Sequence, residues 1–299
     1  MQLFDALLQR RLRHLKVSHD QVLRSVWIEF IYEGQPCFSS ELIEDVWTVK
    51  HSIQQAAQNG YHENYEDRIL FQVLASTDKK VFSLGGDLAY FIKLIEENDH
   101  ASLRHYARRC VDTQYASASH YDVPFTTIAL VAGEALGGGF EAALAANILV
   151  AEKGARFGFP EMTFGMFPGM GAFSFLVRKI NPAMARRLIM NHRVYSATEL
   201  YEMGVVDILA PDGEGRAAVN DYMQRHMSQA PGHQGLQAAV DYVNPVRHEE
   251  LYDIVELWVE ASLKLSKRNR RLMKYFSRAQ ARRHIGLENM TGSTDYYSA

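Results

Sequence analysis

Val131-Ala-Gly-Glu-Ala-Leu-Gly-Gly-Gly-Phe-Glu141, with its sequel Phe157-Gly-Phe-Pro-Glu161, is the stretch on which the reading of this chain turns. It is entered from Thr126 to Val131 (TTIALV), a short apolar run rich in β-branched residues that reads as a buried strand. Gly137, Gly138 and Gly139 then allow a sharp turn and a close approach of backbone to a ligand, since no Cβ stands in the way. Phe140 to Ala146 is rich in Ala and Leu, good helix formers. A helix that opens near Gly138 leaves its first amides without intrahelical partners, at the positive end of the macrodipole. Glu141, three residues on, lies on the face that carries the Gly138 amide. One short segment thus offers a donor for a developing oxyanion with a carboxylate beside it.

Other readings of the same segment compete. Gly137 to Ala142 fits the dinucleotide pattern G-x-G-x-x-A, with Glu161 about twenty residues on. Gly133 to Leu136, however, separate the strand end from the glycines, where that fingerprint needs an immediate turn. Glu161 also follows Pro160 in a loop instead of ending a strand. A phosphate loop is excluded because no Gly-Lys-Ser/Thr follows. The plain alternative is a tight glycine turn with a surface glutamate.

Outward from this stretch, Val22 to Tyr32 reads as a strand with Glu33-Gly34-Gln35-Pro36 as its turn. Ser39 or Ser40 can cap a helix to about Gln58, with Leu42, Ile43, Val46, Val49 and Ile53 on its inner face. Gly60 to Asp67 is polar loop, and Ile69 to Ala75 is a second buried strand. Val81-Phe-Ser-Leu runs into Gly85-Gly86, followed by helical sequence from Asp87 to about Glu97 and again from about Ala101 to Ser117. Two glycine turns, each at a strand end and each opening a helix, point to two backbone donors converging on one site. Ile148–Ala151, Arg156–Phe159 and Val205–Leu209 read as further short strands. From Gly213 the chain is mostly helical, with one long amphipathic run from Glu249 to about Ile285, and the tail from Gly286 looks loose.

The 299 residues are 47% hydrophobic, enough to core one large domain or two small ones. A formal charge of −3 argues neither for nor against nucleic acid. Cys37 and Cys110 make no metal or disulfide framework, which fits a reducing compartment. No apolar run is long enough to span a bilayer. The opening residues, MQLFDALLQRRLRHLK, read as an amphipathic lead-in helix without the apolar stretch of a signal peptide, so a cytoplasmic protein is expected. The 12 histidines show no ligand spacing, and His248-Glu-Glu lacks the second histidine of a zinc helix, so no metal is expected. Lys264 to Arg283 holds nine basic residues and no acid. That is either a solvated helix face or a dock for something acidic, such as a phosphopantetheine carrier protein or nucleotide phosphates.

Leu84-Gly-Gly-Asp87, the triple glycine with Glu141, Phe159-Pro-Glu161 and Phe167-Pro-Gly-Met-Gly171 together resemble the motifs of the crotonase (enoyl-CoA hydratase/isomerase) superfamily. Ser196-Ala-Thr-Glu-Leu-Tyr-Glu-Met-Gly204-Val-Val-Asp207 resembles the segment that ends the spiral core there. The resemblance runs over about residues 22 to 285. It implies an α/β fold, a right-handed spiral of ββα units with C-terminal helices that cover the site and help build trimers. The expected divisions are a lead-in at 1–21, a spiral core at 22–212, a helical region at 213–285 and a flexible tail at 286–299, in a homo-oligomer (a trimer or a dimer of trimers).

Within the superfamily the chain most resembles the synthases of diffusible signal factors, which make cis-2-unsaturated fatty acids for bacterial cell–cell signalling. Cys37-Phe38-Ser39, Phe82-Ser-Leu-Gly-Gly-Asp-Leu88, Gly137-Gly-Gly-Phe-Glu-Ala-Ala143, Phe167-Pro-Gly-Met-Gly-Ala172 and Leu257-Trp-Val259 carry that likeness. Ordinary CoA hydratases usually have an Ala-Gly-Ala/Ala-Asp-like turn where this chain has Leu-Gly-Gly-Asp. They also show an Asn-Ala-Leu motif near the first helix, which is missing here.

The resemblance implies that the amides of Gly86 and Gly138 bind a thioester oxygen and that Glu141 and Glu161 share the acid and base work. By analogy Glu161 takes the α-proton and Glu141 protonates the departing 3-hydroxyl, although the reverse order is open. Gly85, Leu136, Gly137, Met170 and Trp258 are the expected substrate contacts. Some of Met162, Phe164, Met166, Phe167, Met170 and Phe173 are expected to line an acyl tunnel. The implied reaction dehydrates a 3-hydroxyacyl-carrier-protein thioester and then hydrolyses it. The carrier-protein or CoA thioester is the substrate, with no separate cofactor. Expected partners are acyl carrier protein and a signal sensor protein; nucleic acid is not one. The rival readings are a general acyl-CoA hydratase/isomerase and a non-catalytic regulator that acts by binding a partner.

Overall fold

The computed structural model describes residues 12–60, 68–120 and 125–284. Strands β1 (Leu15–Asp20) and β2 (Ser25–Phe30) pair antiparallel, and α1 (Ser40–Gly60) follows. A pattern then repeats: one strand, a second strand, then helix. β3 (Phe71–Ser76) and β4 (Val81–Ser83) lead to α2 (Leu88–Glu96) and α3 (His100–Ala118). β5 (Thr126–Val131) and β6 (Glu134–Leu136) lead to α4 (Gly138–Leu144). β7 (Ile148–Glu152) and β8 (Arg156–Gly158) lead to a 3-10 turn at Glu161–Phe164, α5 (Ala172–Lys179) and α6 (Pro182–Met190). β9 (Val194–Ser196), α7 (Ala197–Glu202) and β10 (Ile208–Ala210) finish the strands. The helices α8 (Gly215–Met227), α9 (Ala230–Val243), α10 (His248–Leu263) and α11 (Lys267–His284) come last.

The two strands of each repeat enter different sheets. One sheet has the order β1-β2-β3-β5-β7-β10, parallel from β2 onward; the other has β4-β6-β8-β9, with β9 antiparallel. The chain is therefore an α/β stack of ββα units. The inner strands β2, β3, β5 and β7 are buried on both faces and so read as largely apolar runs, whereas the edge strand β1 is mostly half-buried. Alternate residues go to opposite sides. Val73, Ile128, Leu130 and Val150 pack with Val219 and Met223 of α8, whereas Leu74, Ala129, Val131 and Leu149 enter the main core.

Several expectations need correction. Residues 1–11 of the expected lead-in helix lie outside the described residues, and its last part is strand: Leu15–Asp20 pairs along its length with Ser25–Phe30 and belongs to the large sheet. Gly133 to Leu136, read as the spacer that argued against a dinucleotide turn, contains β6, a member of the second sheet. The strand expected over Val205–Leu209 begins only at Ile208. The long run from Glu249 is two helices, broken at Lys264–Ser266. Residues 61–67 of the polar loop, and the tail, lie outside the described residues. Among the described residues no helix is long and apolar enough to cross a membrane.

Candidate active site

β4, β6 and β8 are adjacent and parallel, so their C-terminal ends reach the same edge of the small sheet. Neighbouring strands stand about 4.8 Å apart, and each delivers one part of the site. β4 runs into Gly85 and Gly86. β6 runs into Gly137 and Gly138 and then into α4, which carries Glu141. β8 runs through Phe159 and Pro160 to Glu161. The sequence order of the motifs becomes a row in space.

The two glycine turns pack backbone against backbone. Gly85 has φ +88°, and a Cβ built on it would sit 2.8 Å from the Leu136 oxygen and 3.0 Å from the Gly138 nitrogen. Gly137, with φ 52° and ψ −126°, precedes the first residue of α4. Gly138 therefore opens the helix, where an amide has no intrahelical acceptor. Among the described residues no hydrogen bond engages the amide of Gly86 or Gly138. The carbonyls of the first turn, in contrast, are occupied. Phe38 N donates to Gly85 O at 2.7 Å. The side-chain amide of Gln280, on α11, donates to Leu84 O and Gly86 O at 3.0 Å each and accepts from Leu88 N at 3.4 Å. Asp87 caps α2 by accepting from Tyr90 N at 3.0 Å.

Glu141 is 2% exposed, and its Oε1 accepts from Met170 N at 2.8 Å and Ala172 N at 3.0 Å. The Phe167–Ala172 loop thereby aims one carboxylate. Glu161 lies across Gly137: a Cβ there would come within 2.4 Å of its Oε1. Its Oε2 is buried and meets no hydrogen-bond partner among the described residues. Burial raises the Glu141 carboxyl above the ordinary carboxylate range, and the two amides on Oε1 pull it partly back. Burial raises Glu161 further, and the neighbouring Glu141 adds to it. Two carboxyls in one dry pocket cannot both ionise cheaply, so the pair holds a proton near neutrality and presents an acid beside a base.

All nine residues singled out from sequence (Gly85, Gly86, Leu136, Gly137, Gly138, Glu141, Glu161, Met170 and Trp258) line one cavity. Phe164 and Met166 of the expected tunnel line it as well. Met162 and Phe167 pack against the core instead, and Phe173 is 44% exposed on the outer side of α5, so three of the six line the cavity. Trp258 roofs the cavity. Its indole stands where a Cβ on Gly169 would be, 2.4 Å from Cδ1, and meets Phe91 edge-on at 5.2 Å. Sequence reasoning missed the contribution of α11, where Met273, Phe276 and Gln280 face the cavity. The available signal was their helical spacing opposite the basic positions. Chemically, unengaged amides can take the growing charge on a carbonyl oxygen, while two acids serve adjacent carbons along an apolar chain.

The chain's relatives share this frame. The family model Enoyl-CoA hydratase/isomerase matches residues 61–253. The fatty acid oxidation complex subunit alpha of Idiomarina loihiensis is 33% identical over 204 residues, which cover 66% of this chain but only 27% of that protein. The crotonyl-CoA hydratase of Syntrophomonas wolfei is 26% identical over 189 residues, 60% of this chain and 69% of that one. In fold, the chain is similar to the crystal structure of enoyl-CoA hydratase from Bacillus halodurans, with a TM-score of 0.69 at 21% identity, covering 89% of this chain and 99% of that one. A stack of ββα units carrying paired glycine turns and matched over most of its length places this chain in the enoyl-CoA hydratase/isomerase family of the crotonase superfamily.

Proposed function

We propose that the cavity binds a 3-hydroxyacyl thioester and removes water from it. The carbonyl oxygen sits between the amides of Gly86 and Gly138, which lowers the cost of the enolate; one such donor is worth about 2.7–4 kcal/mol of barrier. One glutamate takes the proton from the α-carbon. The other gives a proton to the departing 3-hydroxyl, so that the C–O bond breaks, water leaves and the 2,3 double bond forms. Glu161 as base and Glu141 as acid is the assignment we adopt. The assignment follows the resemblance. Glu161 is raised further than Glu141, so the shared proton passes from Glu161 to the free oxygen of Glu141 before Glu161 acts as base, and the reverse assignment needs no such transfer. The observation that carries this reading is that both acids line the same cavity as the unengaged amides, within apolar walls.

The finer part of the proposal is that the product leaves as a free cis-2-unsaturated acid, a cell–cell signal. Water adds to the same polarised carbonyl, the carbon–sulfur bond breaks and the thiol departs with a proton. This rests on the likeness of the Leu84–Asp87 turn and the Phe167–Ala172 loop to the signal synthases. A cytoplasmic homo-oligomer (a trimer or a dimer of trimers) belongs to the same reading, as does contact with a signal sensor protein. α9 supports the oligomer, since Leu236, Val240, Tyr242 and Val243 leave its apolar side open. Mass spectrometry after incubation with 3-hydroxyacyl carrier protein tests the function. Free 2-enoic acid is the expected product. Exclusively thioester products would overturn the release step and leave a hydratase/isomerase of acyl-CoA, the reading that the names of the similar proteins favour.

A further inference from the structure

α11 carries two opposite faces. Met273, Phe276 and Gln280 turn inward and close the cavity. Lys267, Arg271, Lys274, Arg278 and Arg282, recurring every three or four residues, lie exposed on the other side. That spacing makes a continuous stripe, and at 1.5 Å per residue it runs about 22 Å. Lys274 meets Glu96 Oε1 at 2.7 Å, but among the described residues no carboxylate comes within ion-pair distance of the other four. The acids nearby are few: Glu96 and Glu97 at the end of α2, and Glu260, which pairs with Lys264 at 3.7 Å. Five like charges on one helix face repel one another, a cost that an oppositely charged partner relieves.

We propose that this stripe is the docking surface for a small acidic carrier protein that holds its acyl group as a thioester on a flexible arm. The proposal rests on the thioester reading of the cavity and names the form in which the substrate arrives. A free nucleotide-bearing thioester concentrates its charge on a few phosphates, which two or three cations satisfy; five cations spread over about 22 Å exceed that need and match an extended acidic surface. A lipid surface would need the apolar side of the helix, and that side is spent on the cavity and the core. The stripe stands one helix diameter, about 10–12 Å, from the cavity-lining face, so a body parked on it keeps its arm within reach of the site.

The test uses the whole protein and two charge-reversed variants, Arg271→Glu with Arg278→Glu, and Lys267→Glu with Arg282→Glu, none of them lining the cavity. Three thioesters of the same acyl chain are compared: on acyl carrier protein, on CoA and on N-acetylcysteamine. The expected result is a KM for the carrier-bound substrate raised by about tenfold or more, with a steep salt dependence in the parent that the variants lose. The N-acetylcysteamine substrate is turned over unchanged. An unchanged KM for the carrier substrate, a rise confined to the CoA substrate, or an equal loss on all three would overturn the proposal. Fluorescence anisotropy with labelled holo acyl carrier protein separates the two readings. Salt-sensitive binding that the variants abolish upholds docking even if no thioester is turned over, whereas turnover of N-acetylcysteamine thioester without carrier binding leaves the catalytic reading standing alone.

Discussion

The side-chain amide of Gln280 donates to the carbonyl of Gly86 at 3.0 Å across a separation of 194 residues. The same nitrogen holds Leu84 O at 3.0 Å, so a residue of the last described helix fixes the Leu84–Gly85 and Gly86–Asp87 peptide planes. These flank the Gly85–Gly86 plane, which carries the Gly86 amide and is held by Phe38 N on Gly85 O. With those carbonyls held, the Gly86 amide keeps its direction. Gln280→Leu is expected to lower kcat by roughly 10- to 100-fold with little change in KM, because the substrate still fits while the donor drifts. Gln280→Glu should fall with it, since a carboxylate accepts from Leu88 but cannot donate to the two carbonyls. Steady-state kinetics on a small thioester checks both; an intact kcat in the Leu variant would refute the positioning role.

Glu141→Gln and Glu161→Gln should each cut turnover by about 10²–10⁴-fold. The pair also sets a pH dependence of stability. Both carboxyls titrate above their unfolded value in the fold, owing to burial and, for Glu161, to the charge of Glu141. Their contribution is thus fully present below the unfolded carboxylate pKa, about 4.3, and is lost as pH rises through the raised folded values. Glu161→Gln removes the titrating group. Its Tm should exceed that of the parent at pH 8, with a smaller difference at pH 4, in thermal melts across that range.

Lys50 predicts the opposite slope. It is 3% exposed between α1 and α3, where its ammonium donates to Thr113 O at 2.6 Å and to Ser117 Oγ with no acid among its partners. Burial lowers its pKa to about 7. The folded state sheds the proton near pH 7 while the unfolded chain keeps it to about 10.4, so this contribution to stability grows as pH rises between those values. Lys50→Met should stabilise the protein at pH 6 by about 1–4 kcal/mol, and by less at pH 10. Urea unfolding at the two pH values would show it.

Gly137→Ala tests the meeting of the second turn with Glu161. The backbone there has φ 52° and ψ −126°, and the added methyl would fall 2.4 Å from Glu161 Oε1. The strain should cost about 1–3 kcal/mol in denaturant unfolding, and displacement of the carboxylate should reduce activity beyond what the stability loss explains.

How much of this was readable in advance follows from how locally each feature is determined. Gly85 and Gly137 have positive φ, and at Gly85 a Cβ would also meet the backbone of Leu136 and Gly138, a demand written into single positions. Glu141 was fixed by helical spacing from Gly138. β6 was missed because Glu134-Ala-Leu136 is too short to show a period, and its identity as a strand comes from pairing with Val81–Ser83 and Arg156–Gly158. Leu15 and Lys16, the start of β1, fell into a helix pattern for the same reason, the pairing of Leu15–Asp20 with Ser25–Phe30 being invisible in a window around Leu15. Phe173 shares its neighbourhood with Met170, but α5 buries Ala172, Phe175 and Leu176 and turns Phe173 outward. Gln280 shares the helical spacing opposite the basic positions, but its role had no local signal, since what it holds lies at the other end of the chain.

Because the glycine turns follow neighbouring parallel strands, the gap between Gly86 and Gly138 is set by the rung spacing of a β-ladder, a length that side chains hardly alter. Mutational drift can therefore rewrite the walls, and with them what the cavity admits, while the spacing of the two amides passes to descendants intact. A scaffold of this kind separates what is inherited from what is free to diversify.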